Sequence, residues 1–263
     1  MIETFLADLP HGITLSCRAC GPMQAPRVML LHGFPEGAFA WDEVLSALAG
    51  EARCVAPNLR GFERSSAPAE VEAYRPRHLM QDIEALIMQT GGPVDLLVAH
   101  DWGGAVAWNL AAMRPELMKR LLIINSPHPA TFLRELRDSP AQQAASAYMN
   151  FLCRPDAEAL LAQNDFARLW PFFDRMGGQA WLDERRRAQY RELWSLGLTG
   201  GLNLYRASPL RPPSATDPRV GQALRELQLP DSLTTSRVPT AVLWGDADHA
   251  LLPGLLEGLE RWV

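Results

Sequence analysis

The sequence predicts an α/β architecture: a mostly parallel sheet with helices on both faces, interrupted by a long helical insertion. Three observations predict it. Short apolar runs alternate with helical patterns through the first half of the chain. From about Pro129 to Ser232 only helical stretches and loops follow, and near Ala241 an apolar run returns to strand character. This divides the chain into a first core part (1–127), a helical cap (128–232) and a second core part (233–263).

The elements follow in order. Ile13-Thr14-Leu15-Ser16 alternates as a strand does. Val28 to Leu31 is a buried-strand run that leads into His32-Gly33. Phe39 to Ala49 spaces its apolar residues by three and four, as a helix does. Cys54-Val55-Ala56 is the next strand, and Arg77 to Gln89 the next helix. Val94 to Ala99 ends at His100-Asp101, and Ala105 to Met113 is helical again. Leu121 to Ile124 precedes Asn125-Ser126-Pro127, and Ala241 to Trp244 precedes Gly245-Asp246. Parallel sheets of this type bind ligands beyond the carboxyl ends of their strands, where these polar and glycine-rich segments lie. Arg211-Pro212-Pro213 and the residues up to Asp217 read as a loop.

Composition narrows the function classes. The chain has 263 residues, which suits one core with an insertion, and 48% hydrophobic with 21% charged residues is globular. A net charge of −5 without a basic block argues against nucleic acid and anionic membrane as partners. No apolar run reaches the ~18 residues of a membrane span, and the N-terminus lacks the basic-then-apolar layout of a signal peptide. A cytoplasmic protein is expected. Cys17 and Cys20 form a CxxC with no second pair and no nearby histidine. With Cys54 and Cys153 they are expected to be plain reduced thiols, with no metal site.

The strongest signal is Ala99-His100-Asp101-Trp102-Gly103-Gly104, at the turn from a strand into a helix. A nucleophile elbow needs small residues two before, two after and three after the nucleophile, because strand and helix pack closely there. Ala99, Gly103 and Gly104 supply them, and Asp101 stands in the nucleophile position. A carboxylate attacks an sp³ carbon and leaves an alkyl-enzyme ester. A hydroxyl would instead attack carbonyls, so esterase, lipase and serine-protease readings are disfavoured. Earlier in the chain, Leu31-His32-Gly33-Phe34-Pro35-Glu36 ends another strand. The N–H groups of Phe34 and Trp102 are the expected oxyanion hole for the second half-reaction.

HGFPE followed by HDWGG in this strand order resembles the epoxide hydrolase branch of the α/β-hydrolase superfamily, and the resemblance covers about Ile13 to Val263. It implies two cap tyrosines that donate to the epoxide oxygen. Tyr148, in Ala147-Tyr148-Met149-Asn150-Phe151, and Tyr205, in Leu202-Asn203-Leu204-Tyr205-Arg206, occupy the matching places. Epoxide opening expels an alkoxide, for which acids of pKa near ~10 are useful donors. Gly245-Asp246-Ala247-Asp248 matches the family's G-x-x-D turn and makes Asp248 the acid that orients a histidine. With the motifs go His32, Pro35 and His100 as substrate-pocket positions. No cofactor is implied.

The pattern breaks at the general base. The family places it on a loop beyond the last strand, and the sequence stops at Trp262-Val263. A last strand, loop and helix would need roughly 25–30 further residues at typical lengths. None of His11, His32, His78, His100, His128 and His249 occupies that place. The expectation is a fragment, or else a naturally shortened and hydrolytically impaired relative, that opens an epoxide and forms the ester without turning it over. The substrate expected is a small apolar epoxide or halogenated compound, and a homodimer is left open. Two rivals stand beside epoxide opening. One is haloalkane or haloacid dehalogenation by the same aspartate. Against it, Phe34 replaces the usual Asn of haloalkane dehalogenases, and Trp102 and Ala105 replace the arginines of fluoroacetate dehalogenases. The other is a non-catalytic binding protein on the same scaffold.

Overall fold

A computed structural model describes residues 1–263. The strands are β1 (Glu3–Asp8), β2 (Thr14–Cys20), β3 (Arg27–Leu31), β4 (Arg53–Pro57), β5 (Leu96–His100), β6 (Leu121–Ile124) and β7 (Thr240–Leu243). They form one sheet in the order β1-β2-β4-β3-β5-β6-β7. The β1–β2 and β2–β4 pairs are antiparallel, and all others are parallel. The central apolar runs are buried on both faces, as the continuous runs require. Leu30 and Leu31 are fully buried, each worth roughly 1.5–3 kcal/mol.

The chain leaves β3 for β4 on one side and returns to β5 on the other. The topological switch point therefore falls between β3 and β5, whose last paired residues are Leu31 and Ala99. Both sequence motifs begin at that spot. Helices α1 (Asp42–Leu48), α2 (Pro76–Gln89) and α3 (Trp102–Met113) lie in the core connections. Arg60 holds α2 to the loop after β4 with a bidentate pair to the buried Asp82, at 2.6 and 2.8 Å, and His11 Nε2 adds a 2.7 Å contact to the same carboxylate.

Between β6 and β7 the chain forms only helices: α4 (Pro129–Asp138), α5 (Pro140–Ala145), α6 (Tyr148–Leu152), α7 (Ala157–Phe166), α8 (Trp170–Asp174), α9 (Glu184–Ser195), α10 (Thr199–Ala207), α11 (Pro218–Glu226) and α12 (Asp231–Thr234), with a short 3₁₀ turn at Gly178–Ala180. The two ends of this insertion meet, because His128 Nε2 donates to Thr234 O at 2.8 Å. Its middle rests on the strand-end loops. Trp194 Nε1 donates to Pro35 O at 2.7 Å, and the Tyr190 hydroxyl donates to Glu36 Oε1 at 2.9 Å. At Gly200 a methyl group would lie 2.3 Å from Gly61 Cα, so backbone touches backbone there. Phe173, Tyr190 and Trp194 stack into an aromatic cluster, with Arg187 and Arg191 over the neighbouring Trp170 ring.

Three elements differ from the sequence expectation. β1 was not anticipated, because the outward Leu6 is 59% exposed and spoils the polar–apolar alternation. The helix at Phe39 is split into a 3₁₀ turn, Ala38–Trp41, and α1. β5 starts at Leu96, while Val94 makes only an isolated bridge to Met118. At the β7 edge of the sheet, Leu243 is 54% exposed.

Candidate active site

Asp101 sits between β5 and α3 with φ 49° and ψ −121°. A positive φ at a non-glycine residue is strained and persists only where the surroundings impose it. Here the surroundings do. A methyl group on Gly103 would lie 2.6 Å from His32 O, and one on Gly104 would lie 2.3 Å from Ser126 Cβ. Ala99 is fully buried. The Ser126 hydroxyl donates to Asp101 O at 2.6 Å and pins the turn. These contacts are the physical reason for the three small residues.

The carboxylate is received by the HGFP loop. Phe34 N–H donates to Asp101 Oδ1 at 2.8 Å, and the Trp102 N–H is a second donor. Gly33 has no room for a side chain, since a methyl group there would lie 2.1 Å from Asp101 Oδ1. Burial raises the Asp101 carboxyl above its ordinary value, against the His100 charge and the two N–H donors, which pull it down.

Tyr148 on α6 and Tyr205 on α10 face the elbow. Their ring centroids are 6.2 Å apart at 78°, and Tyr205 packs edge-on against Trp102 at 4.9 Å and Phe34 at 5.5 Å. Burial, then nearby carboxylates including Asp101, push Tyr148 well above the usual phenol range. Burial, Tyr148 and Asp101 do the same to Tyr205. Both phenols are therefore kept protonated as donors. Asp101, Tyr148, Tyr205 and Leu251 line two adjoining cavities of about 150 and 240 Å³. The first is apolar, walled by residues such as Phe132, Met149 and Leu210. The second holds Glu36, His100, Asn125 and Asp248 beneath Phe172, Phe173 and Trp181.

Asp248 lies in the second cavity. Its Oδ1 accepts from the N–H groups of Ala250 and Leu251 at 2.8 and 2.9 Å, and its Oδ2 accepts from Asn125 Nδ2 at 2.9 Å. No histidine is among its partners. Pro35 and His100 line the same cavity. His32 is not with them. It is wholly buried beneath the loop, where Nδ1 donates to Gly33 O, Nε2 accepts from Leu59 N–H, and the ring packs against Phe62. Its assignment to the substrate pocket is corrected accordingly: it is a scaffold for the HGFP turn.

Sequence reasoning gave no role to Glu36, Asn125, Ser126 or Tyr190. Glu36 and Asn125 stood inside quoted segments at strand ends, and that position was their only signal. Asn125 bridges Asp248 to Gly245, whose N–H it accepts at 3.1 Å, from a backbone with φ 39°.

A family model of the alpha/beta hydrolase fold matches residues 26–263. The chain belongs to the α/β-hydrolase superfamily. It lies in the epoxide hydrolase branch, as its relatives show. This hydrolase is 34% identical over 255 residues to the AB hydrolase superfamily protein YfhM of Bacillus subtilis (strain 168), covering 95% of the chain and 84% of that protein. It is 32% identical over 245 residues to Epoxide hydrolase 4 of Mus musculus, covering 90% of the chain but only 64% of that longer protein. Among solved structures it is similar to one of the novel epoxide hydrolases from metagenomes of hot environments. The TM-score is 0.86 at 35% identity, with 100% of the chain and 88% of the other covered.

Proposed function

We propose that this α/β-hydrolase opens epoxides to vicinal diols through an ester on Asp101. One observation carries the reading. Asp101, strained at its elbow, shares cavity walls with two phenols that burial keeps protonated. The insertion between β6 and β7 then acts as the cap over the elbow.

In the first half-reaction Tyr148 and Tyr205 hold the epoxide oxygen. A carboxylate oxygen of Asp101 bonds to a ring carbon, the ring C–O bond breaks, and the alkoxide takes a proton from a phenol. In the second, water adds to the Asp101 ester carbonyl. The Phe34 and Trp102 N–H groups receive the oxyanion, the acyl C–O bond breaks as the carboxylate re-forms, and of the two water protons one goes to the departing diol oxygen and the other restores the phenol. Asp248 holds the second cavity's floor through Asn125 and the 245–251 turn. The apolar and aromatic walls suit epoxides with hydrocarbon or aryl arms. The tyrosine pair favours an epoxide over a halide, because a departing halide needs no proton.

Single turnover of styrene oxide in ¹⁸O-water tests the reading. The expected diol carries an oxygen from Asp101, and the label appears in the Asp101 peptide. Label in the diol with none in the protein would mean direct attack by water.

A further inference from the structure

Three consecutive residues of the loop after β3 are each gripped by the insertion. Pro35 O and Glu36 Oε1 accept hydrogen bonds from Trp194 and Tyr190 of α9. Phe34 is held in another way, by its ring, and α10 is the element that holds it.

Glycines bring α10 this close. Gly61 has φ 89°, and a methyl group on it would lie 2.6 Å from Gly200 Cα. Main chain meets main chain there, and the next residue of the helix lies against aromatic rings. A methyl group on Gly201 would lie 2.7 Å from Phe34 Cδ2 and 3.2 Å from Phe62 Cζ. The Phe34 ring therefore fills the space that a side chain at 201 would occupy. Gly201 and Tyr205 are four residues apart in α10, so they share one face of the helix. On that face the Tyr205 ring meets the same Phe34 ring, edge-on at 83° with centroids 5.5 Å apart. Trp102 packs edge-on against Tyr205 as well, at 4.9 Å and 87°. Phe34 and Tyr205 are both buried, so neither ring has solvent to turn into.

Resting on the epoxide reading, we infer that the Phe34 side chain is a positioning residue for ring opening: seated on Gly201, it fixes where Tyr205 presents its hydroxyl to the epoxide oxygen. The N–H of the same residue meets Asp101 Oδ1 at 2.8 Å. Phe34 thus gives Asp101 and Tyr205 a common reference, its main chain on the one and its ring on the other. Ring opening needs both in line, because the ring C–O bond breaks as Asp101 bonds to carbon and the oxygen takes its proton from a phenol. A shift of about 1 Å in such a group can cost on the order of 10²-fold in rate. A methyl group at 201 would push the helix face off the ring, and a smaller side chain at 34 would remove the seat. Either change acts on the chemistry through Tyr205.

The test measures single-turnover formation of the Asp101 ester from styrene oxide, by rapid quench and intact mass, with the full 263-residue chain. Gly201→Ala and Phe34→Leu, which keeps the main-chain N–H, are each made in the parent and in the Tyr205→Phe background. In the parent each is expected to lower the limiting rate of ester formation by about 10–10²-fold, with a smaller change in the styrene oxide concentration that half-saturates it. In the Tyr205→Phe background each is expected to change that rate by no more than about twofold, since the residue through which they act has already lost its hydroxyl. Melting curves report any cost to the fold separately, and Phe34→Leu carries the test if Gly201→Ala does not fold. Slowing by the same factor in both backgrounds would show damage that does not pass through Tyr205; it overturns the inference and leaves the ester reading standing. Parent-like ester formation by both variants also overturns it. No ester on Asp101 in the parent overturns the epoxide reading and the inference together.

Discussion

The Phe34 main-chain N–H donates to Asp101 Oδ1 at 2.8 Å, so the group proposed as oxyanion donor already rests on the proposed nucleophile. The donor does not have to be assembled when the tetrahedral intermediate forms, because loop and elbow are locked together beforehand. Gly33 makes this approach possible.

Asp101→Asn keeps this hydrogen bond and nearly the same volume but lacks the proposed nucleophile. Diol formation is expected to fall by on the order of 10⁴–10⁶-fold, as when other enzymes lose a nucleophile. Thermal stability is expected to be retained or raised, since burial disfavours the Asp101 charge. Paired kinetics and melting curves check both; undiminished turnover would remove Asp101 from the chemistry.

Tyr148→Phe and Tyr205→Phe each delete one donor and keep the ring packing against Phe172, Trp102 and Phe34. Each is expected to slow ester formation by roughly 10²–10³-fold, and the double variant by more. Rapid-quench measurement of the first half-reaction reads this directly. An effect confined to ester hydrolysis would move the tyrosines out of the ring-opening step.

Gly104→Ala places a methyl group 2.3 Å from Ser126 Cβ, and Ser126 is held by its bond to Asp101 O. Overpacking of this kind costs about 1–3 kcal/mol, which is roughly 2–4 °C of melting temperature per kcal/mol at this chain size. Differential scanning calorimetry checks it. An unchanged midpoint would mean that the strand–helix contact is looser than the geometry indicates.

Acid sensitivity follows from two buried histidines. Burial lowers His32 and His128 from 6.5 to about 4 each, so between these values the unfolded chain binds protons that the folded chain refuses. Stability is therefore full above pH 6.5 and falls as pH drops toward 4, by about 3 kcal/mol for each histidine. His100 has the opposite sign, because its folded value is raised: its contribution is present below 6.5 and is lost as pH rises through the folded value. Urea unfolding at pH 7 and pH 4.5 measures the acid loss, and His128→Gln should reduce it by about half.

The parts written in contiguous residues were legible in the sequence. The elbow is spelled by Ala99, Asp101, Gly103 and Gly104, because tight packing leaves no alternative to small side chains at fixed offsets. The tyrosines were legible only through the family resemblance, since nothing local in α6 or α10 shows that they converge on Asp101. Glu36 and Tyr190 lie 154 positions apart, and their pairing depends on how α9 docks on the loop after β3. His32 and His100 each end a strand in sequence. One rotates into the core and the other into a cavity, and that depends on which neighbours take the ring nitrogens.

Trp194 and Tyr190 tether α9 to Pro35 and Glu36, two residues of the very loop that cradles Asp101. A roof nailed down at that point cannot lift as one piece without pulling on the loop whose Phe34 N–H meets Asp101. Met176 and Trp181, half exposed yet bordering the second cavity, are then the residues at which substitution tests whether substrate reaches it from the side.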